Sequence, residues 1–232
     1  MSLKGKLDRF LIKICNYVWN VSFSRNISYE LQKEALSSTA NFVKLNLKDI
    51  ESVSRREEIW DIAIQKIKNS SELILEFGVY KGESINFIAS KLPKDTIYGF
   101  DSFEGLPEFW RDGLPQKTFK VENQNKLKFR DNVVLIKGYF ENTLPDFLKK
   151  HDSMIKLMHI DSDLYSSAKT IFNYTKERIQ KGTIIIFDEF FNYPGWENGE
   201  FLAFKEFIDE TKIGFNYLTY NRNAEQLAVV IT

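Results

Sequence analysis

The chain of 232 residues carries 32 basic and 32 acidic side chains, so its formal net charge is zero, and 43% of its residues are hydrophobic. This length fits one large domain, or one domain with an N-terminal accessory segment, and the apolar content fits a sizeable core. The neutral total gives no field that would draw the chain to nucleic acid. Cys15 is the only cysteine, which excludes an internal disulfide or a cysteine zinc cluster and predicts a reducing, cytoplasmic location.

The first segment, residues 4–23, is predicted to form an amphipathic helix. Its apolar residues recur at helical spacing, namely Leu7, Phe10, Leu11, Ile14 and Val18. Charged residues interrupt this run, so it is too short for a bilayer and we predict no membrane span. We expect its apolar face to pack on the same domain or on a sister subunit; a helix lying in a membrane interface is the alternative.

Residues 1–70 are predicted to form a helical N-terminal extension or lid, and residues 71–232 the main domain. Ser54 and Glu57 have the spacing of a capping box, which predicts a helix that starts there and continues through Trp60. After this extension, short apolar runs alternate with helical stretches, as in βα units whose strands are buried on both faces. The runs are Leu73–Phe77, 96–100, Val133–Lys137, Ile155–Ile160 and 183–187.

The C-terminal part of the chain breaks this alternation. Two apolar runs, 215–220 and 226–231, are joined by a linker that is too short for a crossover helix, so they are expected to form an antiparallel hairpin. The sequence therefore predicts an α/β fold with a doubly wound, mostly parallel, seven-stranded Rossmann-like sheet that ends in this hairpin.

The first motif is a glycine turn between a predicted strand and a helical stretch, Glu76-Phe-Gly78-Val-Tyr80-Lys-Gly82-Glu-Ser84. Glycines let the backbone turn sharply and approach a ligand, and the helix N terminus beyond offers free N–H groups. The spacing lacks the middle glycine of a dinucleotide-binding turn, which favours a nucleoside that carries an amino acid. Glu76 is a candidate acceptor for the ammonium group of such a ligand.

The second motif begins with Asp101-Ser102, directly after the next predicted strand, and continues Phe-Glu-Gly-Leu-Pro. Asp101 follows the glycine turn by about 20 residues, where an acidic side chain can accept both ribose hydroxyls. The alternative role for Asp101 is turn formation. After the third strand, Gly138 and Phe140 are candidates for contact with adenine, although Phe140 would equally fill the core.

Acidic residues follow the fourth and fifth predicted strands: Asp161 and Asp163, then Asp188 and Glu189. Because the carboxyl ends of parallel strands meet at one edge, these acids should converge, and such crowding calls for a proton or a cation. Oxygen ligands suit Mg²⁺ or Ca²⁺, so we predict Asp161, Asp188 and Glu189 as metal ligands and leave Asp163 open. The alternative is that these acids cap helices or pair with basic residues.

A bound cation would lower the pKa of a substrate hydroxyl and orient its oxygen. Asp161 is then the predicted catalytic residue, taking the proton, and it is also a predicted cofactor-binding residue. His159 lies two residues earlier in a strand and is expected to be a satisfied core histidine rather than a base. Trp110 and Trp196 would either stack on a sugar or anchor their loops.

These motifs together resemble the macrocin O-methyltransferase family, whose members methylate sugar hydroxyls on natural products. The resemblance rests on residues 76–84, 101–107 and 160–165, and on Asp188-Glu189 with Gly195, Trp196 and Glu200. It implies a class I methyltransferase fold, S-adenosylmethionine as methyl donor, and a divalent metal, usually Mg²⁺, held by Asp161, Asp188 and Glu189. It also implies homo-oligomers in which N-terminal segments help to close the active site.

We therefore predict a methyltransferase that uses S-adenosylmethionine and a divalent metal to methylate a hydroxyl of a sugar or a glycosylated small molecule. One alternative is methyl transfer by the same site to a phenolic or nitrogen acceptor. Another is a non-catalytic nucleoside-binding protein of the same fold. No nucleic-acid partner is expected, because nearby acids balance the basic run at 117–130.

Overall fold

The computed structural model describes residues 3–19, 25–67 and 70–232. Two helices come first, and strands and helices then alternate. The elements are α1 (Leu3–Val18), α2 (Ile27–Asn46), β1 (Ser52–Val53), α3 (Arg56–Lys66), β2 (Leu73–Phe77), α4 (Glu83–Lys91), β3 (Ile97–Asp101), β4 (Val133–Lys137), α5 (Phe140–Lys150), β5 (Ile155–Ile160), α6 (Tyr165–Thr175), β6 (Ile179–Phe187), α7 (Glu200–Thr211), β7 (Phe215–Asn221) and β8 (Leu227–Ile231).

Helix α1 leaves its apolar residues accessible: Phe10, Leu11 and Ile14 are 60, 49 and 44% exposed. The expected packing of this face on the same domain is therefore not found among the described residues, and contact with a sister subunit stays a prediction. Residues 20–23, the end of the predicted first helix, lie outside the described residues. Within the described part of the chain, no helix has the length and apolar character that a membrane span requires.

The eight strands form one sheet in the order β1-β7-β8-β6-β5-β2-β3-β4. Every neighbouring pair is parallel except the two that include β8, which runs antiparallel to β6 and β7. This confirms the predicted doubly wound, mostly parallel sheet with its C-terminal hairpin. The strand order reverses direction between β2 and β5, and a ligand crevice forms at such a point in open α/β sheets.

Two details of the segment expected to be helical differ from the sequence prediction. The sheet has an eighth strand because Ser52 and Val53 pair with the end of β7, and a two-residue strand has no periodicity to detect. Helix α3 begins at Arg56, and Glu58 rather than Glu57 closes its first turn. The Oε2 atom of Glu58 accepts hydrogen bonds from the backbone N–H groups of Ser54 (3.0 Å) and Arg55 (3.2 Å).

Helices cover the sheet on both faces, which is why every residue of β2 and β5 is buried. Helices α5, α6 and α7 pack on one face and α3 and α4 on the other, each over its own hydrophobic cluster. Continuous apolar strands are typical of such doubly covered sheets. The loops at the carboxyl ends of the central strands are not covered by these helices, and they form the site.

Candidate active site

A cavity of about 550 Å³ opens at the carboxyl ends of the central strands. Seven predicted cofactor-binding residues line it: Gly78, Tyr80, Asp101, Ser102, Gly138, Phe140 and Asp161. The three predicted metal ligands, Asp161, Asp188 and Glu189, line it as well. The other predicted cofactor-binding residues, Glu76, Gly82 and Ser84, do not reach the cavity wall.

The glycine turn after β2 exists because the end of β5 comes very close. Gly78 has φ +90°, and a Cβ atom built on it would lie 1.7 Å from the carbonyl oxygen of Asp161. The backbone N–H of Asp161 also donates to the carbonyl of Phe77 at 2.9 Å. Only glycine fits both this conformation and this approach. Gly78 therefore brings the cofactor turn and the acidic strand end together.

Asp101 organises the same turn from the neighbouring strand. Its Oδ2 atom accepts hydrogen bonds from the N–H groups of Val79 (2.8 Å) and Tyr80 (2.7 Å), and its Oδ1 atom accepts one from Phe103 (2.6 Å). A carboxylate offers about four lone-pair positions, so Asp101 retains acceptor capacity toward the cavity that it lines. The turn-forming role considered for Asp101 is thus present, and it leaves room for a ribose contact.

Glu76 lies beneath the turn, where it contacts Ser84 and His159. It is fully buried, and its carboxylate accepts a hydrogen bond from the Ser84 hydroxyl at 2.9 Å. Its other oxygen lies 3.0 Å from Nδ1 of His159, which is also fully buried. The two residues form a polar contact under the cavity floor, so a direct contact between Glu76 and the cofactor's ammonium group stays a prediction.

The acidic residues converge as the strand order requires. Asp163, Asp188 and Glu189 are all less than 9% exposed, and Asp161 is partly buried beside them. Two sets of ligand atoms lie within 4.8 Å of one another: those of Asp161, Asp163 and Glu189, and those of His159, Asp161 and Asp188. The predicted metal ligands are therefore spread over both sets, and Asp163, left open by the sequence, joins the all-oxygen one.

Burial and like charge shift the protonation of this cluster. Burial and the charge of Asp188 raise the pKa of Asp161 and of Glu189 well above the usual range, and raise the pKa of Asp163 to about 7. Burial opposes ionisation of Asp188 too, but His159 beside it lowers the pKa of Asp188 below its usual value. Asp188 is therefore the charged member, and the other three bind protons tightly unless a cation offsets their repulsion.

His159 sits between two acids, with its Nε2 atom 3.8 Å from Oδ1 of Asp188. Burial alone would lower the pKa of His159, but Asp188 and Glu76 on its two sides raise it to about 10. The 3.8 Å separation is too long for a hydrogen bond, so Nε2 keeps an unpaired donor. Hard cations prefer oxygen donors to imidazole nitrogen, which favours the all-oxygen set.

These residues fit a hard divalent cation. Two deeply buried acceptors, Oδ1 of Asp188 and Oε2 of Glu189, have no hydrogen-bond partner among the described residues, and such orphaned atoms are rare unless an ion or water satisfies them. Oxygen-only donors suit Mg²⁺ or Ca²⁺. Asp161, Asp163 and Glu189 form the set that would hold it, and Asp188 lies beside Asp161 in the neighbouring set.

Glu200, the first residue of α7, is a further part of the site, to which the sequence assigned no role. It is fully buried and accepts hydrogen bonds from the N–H and hydroxyl of Ser162, both at 3.1 Å, and from the N–H of Glu189 at 3.4 Å. Burial raises the pKa of Glu200 to about 8. An acid at a helix start is common on surfaces, so only the fold reveals that this one connects both acidic loops.

The two tryptophans anchor loops instead of facing the cavity. The indole N–H of Trp196 donates to the hydroxyl of Ser38 on α2 at 2.8 Å. The guanidinium of Arg111 lies 3.9 Å from the Trp110 ring centre and 4.7 Å from that of Tyr193. These contacts connect the loops after β3 and β6 to each other and to α2. Both tryptophans therefore anchor their loops, which is one of the two roles considered from the sequence.

Comparisons with known proteins agree with this geometry. A family model described as a methyltransferase domain matches residues 75–190, which is half of the chain. No curated protein matches the sequence. Among solved structures, the calicheamicin methyltransferase CalS11 is similar with a TM-score of 0.64 and 21% identity over 88% of this chain and 93% of that one.

Two further structures share the architecture. The O-methyltransferase NovP has a TM-score of 0.58 and 18% identity, covering 76% of this chain and 79% of that one. An O-methyltransferase from Bacillus cereus in complex with S-adenosylhomocysteine (SAH) has a TM-score of 0.52 and 17% identity, covering 94% and 97%. At these identities the likeness establishes the fold. Together with the family match over half of the sequence, it shows that the chain belongs to the methyltransferase domain family and is a class I, S-adenosylmethionine-dependent methyltransferase.

Proposed function

We propose that this enzyme methylates an oxygen atom, a hydroxyl of a sugar or of a glycosylated small molecule, with the help of a divalent cation. The observation that carries the proposal is the buried acid cluster of Asp161, Asp163, Asp188 and Glu189 on the wall of the cofactor cavity. A protein that only bound a nucleoside would have no use for converging carboxylates with unpartnered oxygens.

The proposed donor placement follows the cavity wall. Adenine would lie near Gly138 and Phe140, the ribose at Asp101, and the amino-acid end over the glycine turn at Gly78. This order brings the sulfonium methyl group toward the acids after β5 and β6. Holding donor and acceptor in line there would account for much of the catalysis.

The acid cluster would act on the acceptor. When bound there, Mg²⁺ would supply a Lewis acid that lowers the pKa of a coordinated hydroxyl. The acceptor oxygen forms a bond to the methyl carbon as the carbon–sulfur bond breaks, and the hydroxyl proton passes to Asp161, leaving a methyl ether and a neutral thioether. Asp163 is the second candidate for that proton, because a base with a pKa of about 7 suits neutral pH.

A sugar acceptor is supported by the polar wall beyond the acids. Ser166, Ser167 and Thr170 of α6 line the cavity, and hydroxyl groups of this kind suit a polyhydroxylated ligand. Among the similar structures, a second one of CalS11 is described as a TDP-rhamnose 3'-O-methyltransferase, with a TM-score of 0.54 and 20% identity. Both points favour a glycosyl hydroxyl over a flat phenol.

We propose that residues 1–70 form a lid over the 71–232 domain and that the protein forms homo-oligomers. The proposal is supported by α2, which reaches the loop after Glu189. There the hydroxyl of Thr39 accepts a hydrogen bond from the N–H of Asn192 at 2.9 Å, and Phe42 packs against Phe190.

The test is methyl transfer from labelled S-adenosylmethionine to a panel of acceptors: a nucleoside-diphosphate sugar, a catechol and an aromatic amine. Label in the sugar that disappears with chelator and returns with Mg²⁺ supports the proposal. Label found only in the catechol or the amine would show that the acceptor is a phenol or an amine and not a sugar. SAH binding without any methyl transfer would favour a nucleoside-binding protein.

Asp188→Asn sharpens this test. It should abolish Mg²⁺-dependent turnover while changing SAH affinity by less than about threefold. Asp209→Asn, an exposed change on α7, is the matched control and should keep full turnover. Normal activity of the Asp188→Asn enzyme would show that turnover does not depend on a cation at this cluster.

A further inference from the structure

Arg56, the first residue of α3, is the only lysine or arginine among the described residues that line the cavity. Its side chain is 34% exposed, and its Nη2 atom lies 2.6 Å from Oε2 of Glu83. Its guanidinium carbon lies 5.2 Å from the ring centre of Trp60. Arg56 is thus held at the edge of the cavity by α4 on one side and by its own helix on the other.

The rest of the cavity is strongly acidic. Seven acidic side chains line it, namely Asp101, Glu108, Glu141, Asp161, Asp163, Asp188 and Glu189. Burial disfavours the charge of Arg56, but Glu83, Asp188 and Asp161 outweigh burial and raise the pKa of Arg56 above its usual value. Arg56 is therefore a permanent cation in a cavity whose other ionisable lining side chains, among the described residues, are acids or Tyr80 and Tyr139.

The ion pair with Glu83 does not account for this placement by itself. Glu83 is 75% exposed on its side chain, and exposed ion pairs stabilise a fold only slightly. A guanidinium carries five N–H donors in a fork that matches a carboxylate. The contact with Glu83 involves one nitrogen, Nη2, which leaves donors for a ligand.

The methyl donor brings a carboxylate into this cavity. S-adenosylmethionine ends in an amino acid, and its carboxylate is repelled by the charged acids of the cavity, so a nearby cation favours its binding. With adenine at Gly138 and the ribose at Asp101, the amino-acid end extends across Gly78 toward the N terminus of α4. Glu83 begins that helix, so its partner Arg56 lies at this end of the cavity.

We propose that Arg56 binds the α-carboxylate of the methionine part of S-adenosylmethionine. This inference rests on the proposed placement of the donor, and it assigns a binding role to the N-terminal extension. The same guanidinium also offsets the charge of Asp161 and Asp188, so the experiment must separate recognition of the carboxylate from general neutralisation of the cavity.

Two ligands make that separation: SAH and its decarboxylated form, which keeps the adenosine and the ammonium group. In calorimetric titrations, Arg56→Gln should weaken SAH binding by about 10- to 100-fold, the range for lost hydrogen bonds to a charged group. The same variant should bind the decarboxylated ligand with an affinity that is unchanged or higher. Arg56→Lys should restore part of the SAH affinity, because it returns the charge without the fork.

Two control variants bound the interpretation. Arg55→Gln removes the neighbouring arginine, which is 70% exposed on its side chain, and should leave both affinities within about twofold. Glu83→Gln removes the ion pair but keeps the guanidinium, so it should retain SAH binding. If Glu83→Gln weakens SAH as much as Arg56→Gln does, the role of Arg56 is only to join α3 to α4.

The outcomes also distinguish the two proposals. Equal losses for SAH and its decarboxylated form in Arg56→Gln would overturn carboxylate recognition while leaving the donor site in place. Failure of the unmodified protein to bind SAH at all would overturn the placement of the donor and, with it, the role of Arg56.

Discussion

Glu200 and Ser162 form a buried polar contact through which α7 is joined to two active-site loops. One oxygen of Glu200, at the start of α7, accepts hydrogen bonds from both the N–H and the hydroxyl of Ser162, which lies between Asp161 and Asp163. The other oxygen accepts from the N–H of Glu189. A single carboxylate thus fixes the relative positions of the acids that follow β5 and β6.

Glu200→Gln tests this arrangement. The amide group would place its own N–H donors against one of the backbone donors, so the free energy of unfolding should fall by about 1–3 kcal/mol. Urea unfolding measures the loss. Glu197→Gln, an exposed change one turn earlier, should cost less than about 0.5 kcal/mol. Equal stability of the two variants would show that the contact with Ser162 is dispensable.

Gly78→Ala tests the close approach of β5 to the glycine turn. The added methyl group would lie 1.7 Å from the carbonyl oxygen of Asp161, and the alanine backbone would have to keep φ +90°. The free energy of unfolding should therefore fall by about 3 kcal/mol or more. Gly113→Ala is a matched control, because Gly113 has φ +81° with nothing within 4 Å of the new Cβ atom. Its expected loss is about 1–2 kcal/mol from backbone strain alone. Thermal unfolding of both variants measures the difference between their losses, which is the cost of the clash with Asp161. Equal losses would show that the clash contributes nothing.

Asp101→Asn separates two roles of the same carboxylate. The change should lower the free energy of unfolding by about 1–3 kcal/mol, because an amide nitrogen would face the backbone donors of Val79, Tyr80 or Phe103. If Asp101 also binds the ribose, SAH affinity of the folded variant should fall about 10-fold or more. Calorimetry below the unfolding temperature decides, with Asp131→Asn, an exposed change, as control. Normal SAH affinity in a destabilised variant would show that Asp101 stabilises the turn and does not bind the ribose.

The strands and the glycine turn were predictable from sequence because their signals are local. Leu73–Phe77 and Ile155–Ile160 are continuous apolar runs, and their observed bounds match the prediction. Gly78 was recognisable because a strand followed by glycines and a helix marks a turn that a ligand can approach. The convergence of Asp161 with Asp188 followed from the parallel sheet, in which strand ends meet at one edge.

The remaining features depend on contacts between distant parts of the chain. The apolar run predicts a strand that begins at Thr183, whereas β6 begins at Ile179, because Gln180 and Lys181 interrupt the apolar pattern. Arg56 comes to the cavity only when α3 packs beside α4, and no local pattern distinguishes it from the exposed Arg55. The sequence also does not reveal that the carboxylate of Glu76 contacts both Ser84 and His159.

The acid cluster predicts a dependence of cation binding on pH. A carboxyl group with a raised pKa binds its proton more tightly in the folded than in the unfolded state. Asp163, with a pKa of about 7, therefore makes the cation-free protein lose stability as the pH rises from about 4 to about 7. The raised pKa values of Asp161 and Glu189 act in the same direction.

A cation at this cluster must displace those protons, so it should bind more weakly in acid. Millimolar Mg²⁺ should raise the melting temperature by several degrees at about pH 8 and by much less at about pH 6. Scanning calorimetry with and without Mg²⁺ at the two pH values measures this difference. Asp163→Asn removes one of the competing protons along with one ligand, so its Mg²⁺ response should be smaller at the higher pH. A stabilisation that is equal at both pH values, or that persists in a double variant of Asp161→Asn with Asp188→Asn, would place the cation elsewhere on the protein.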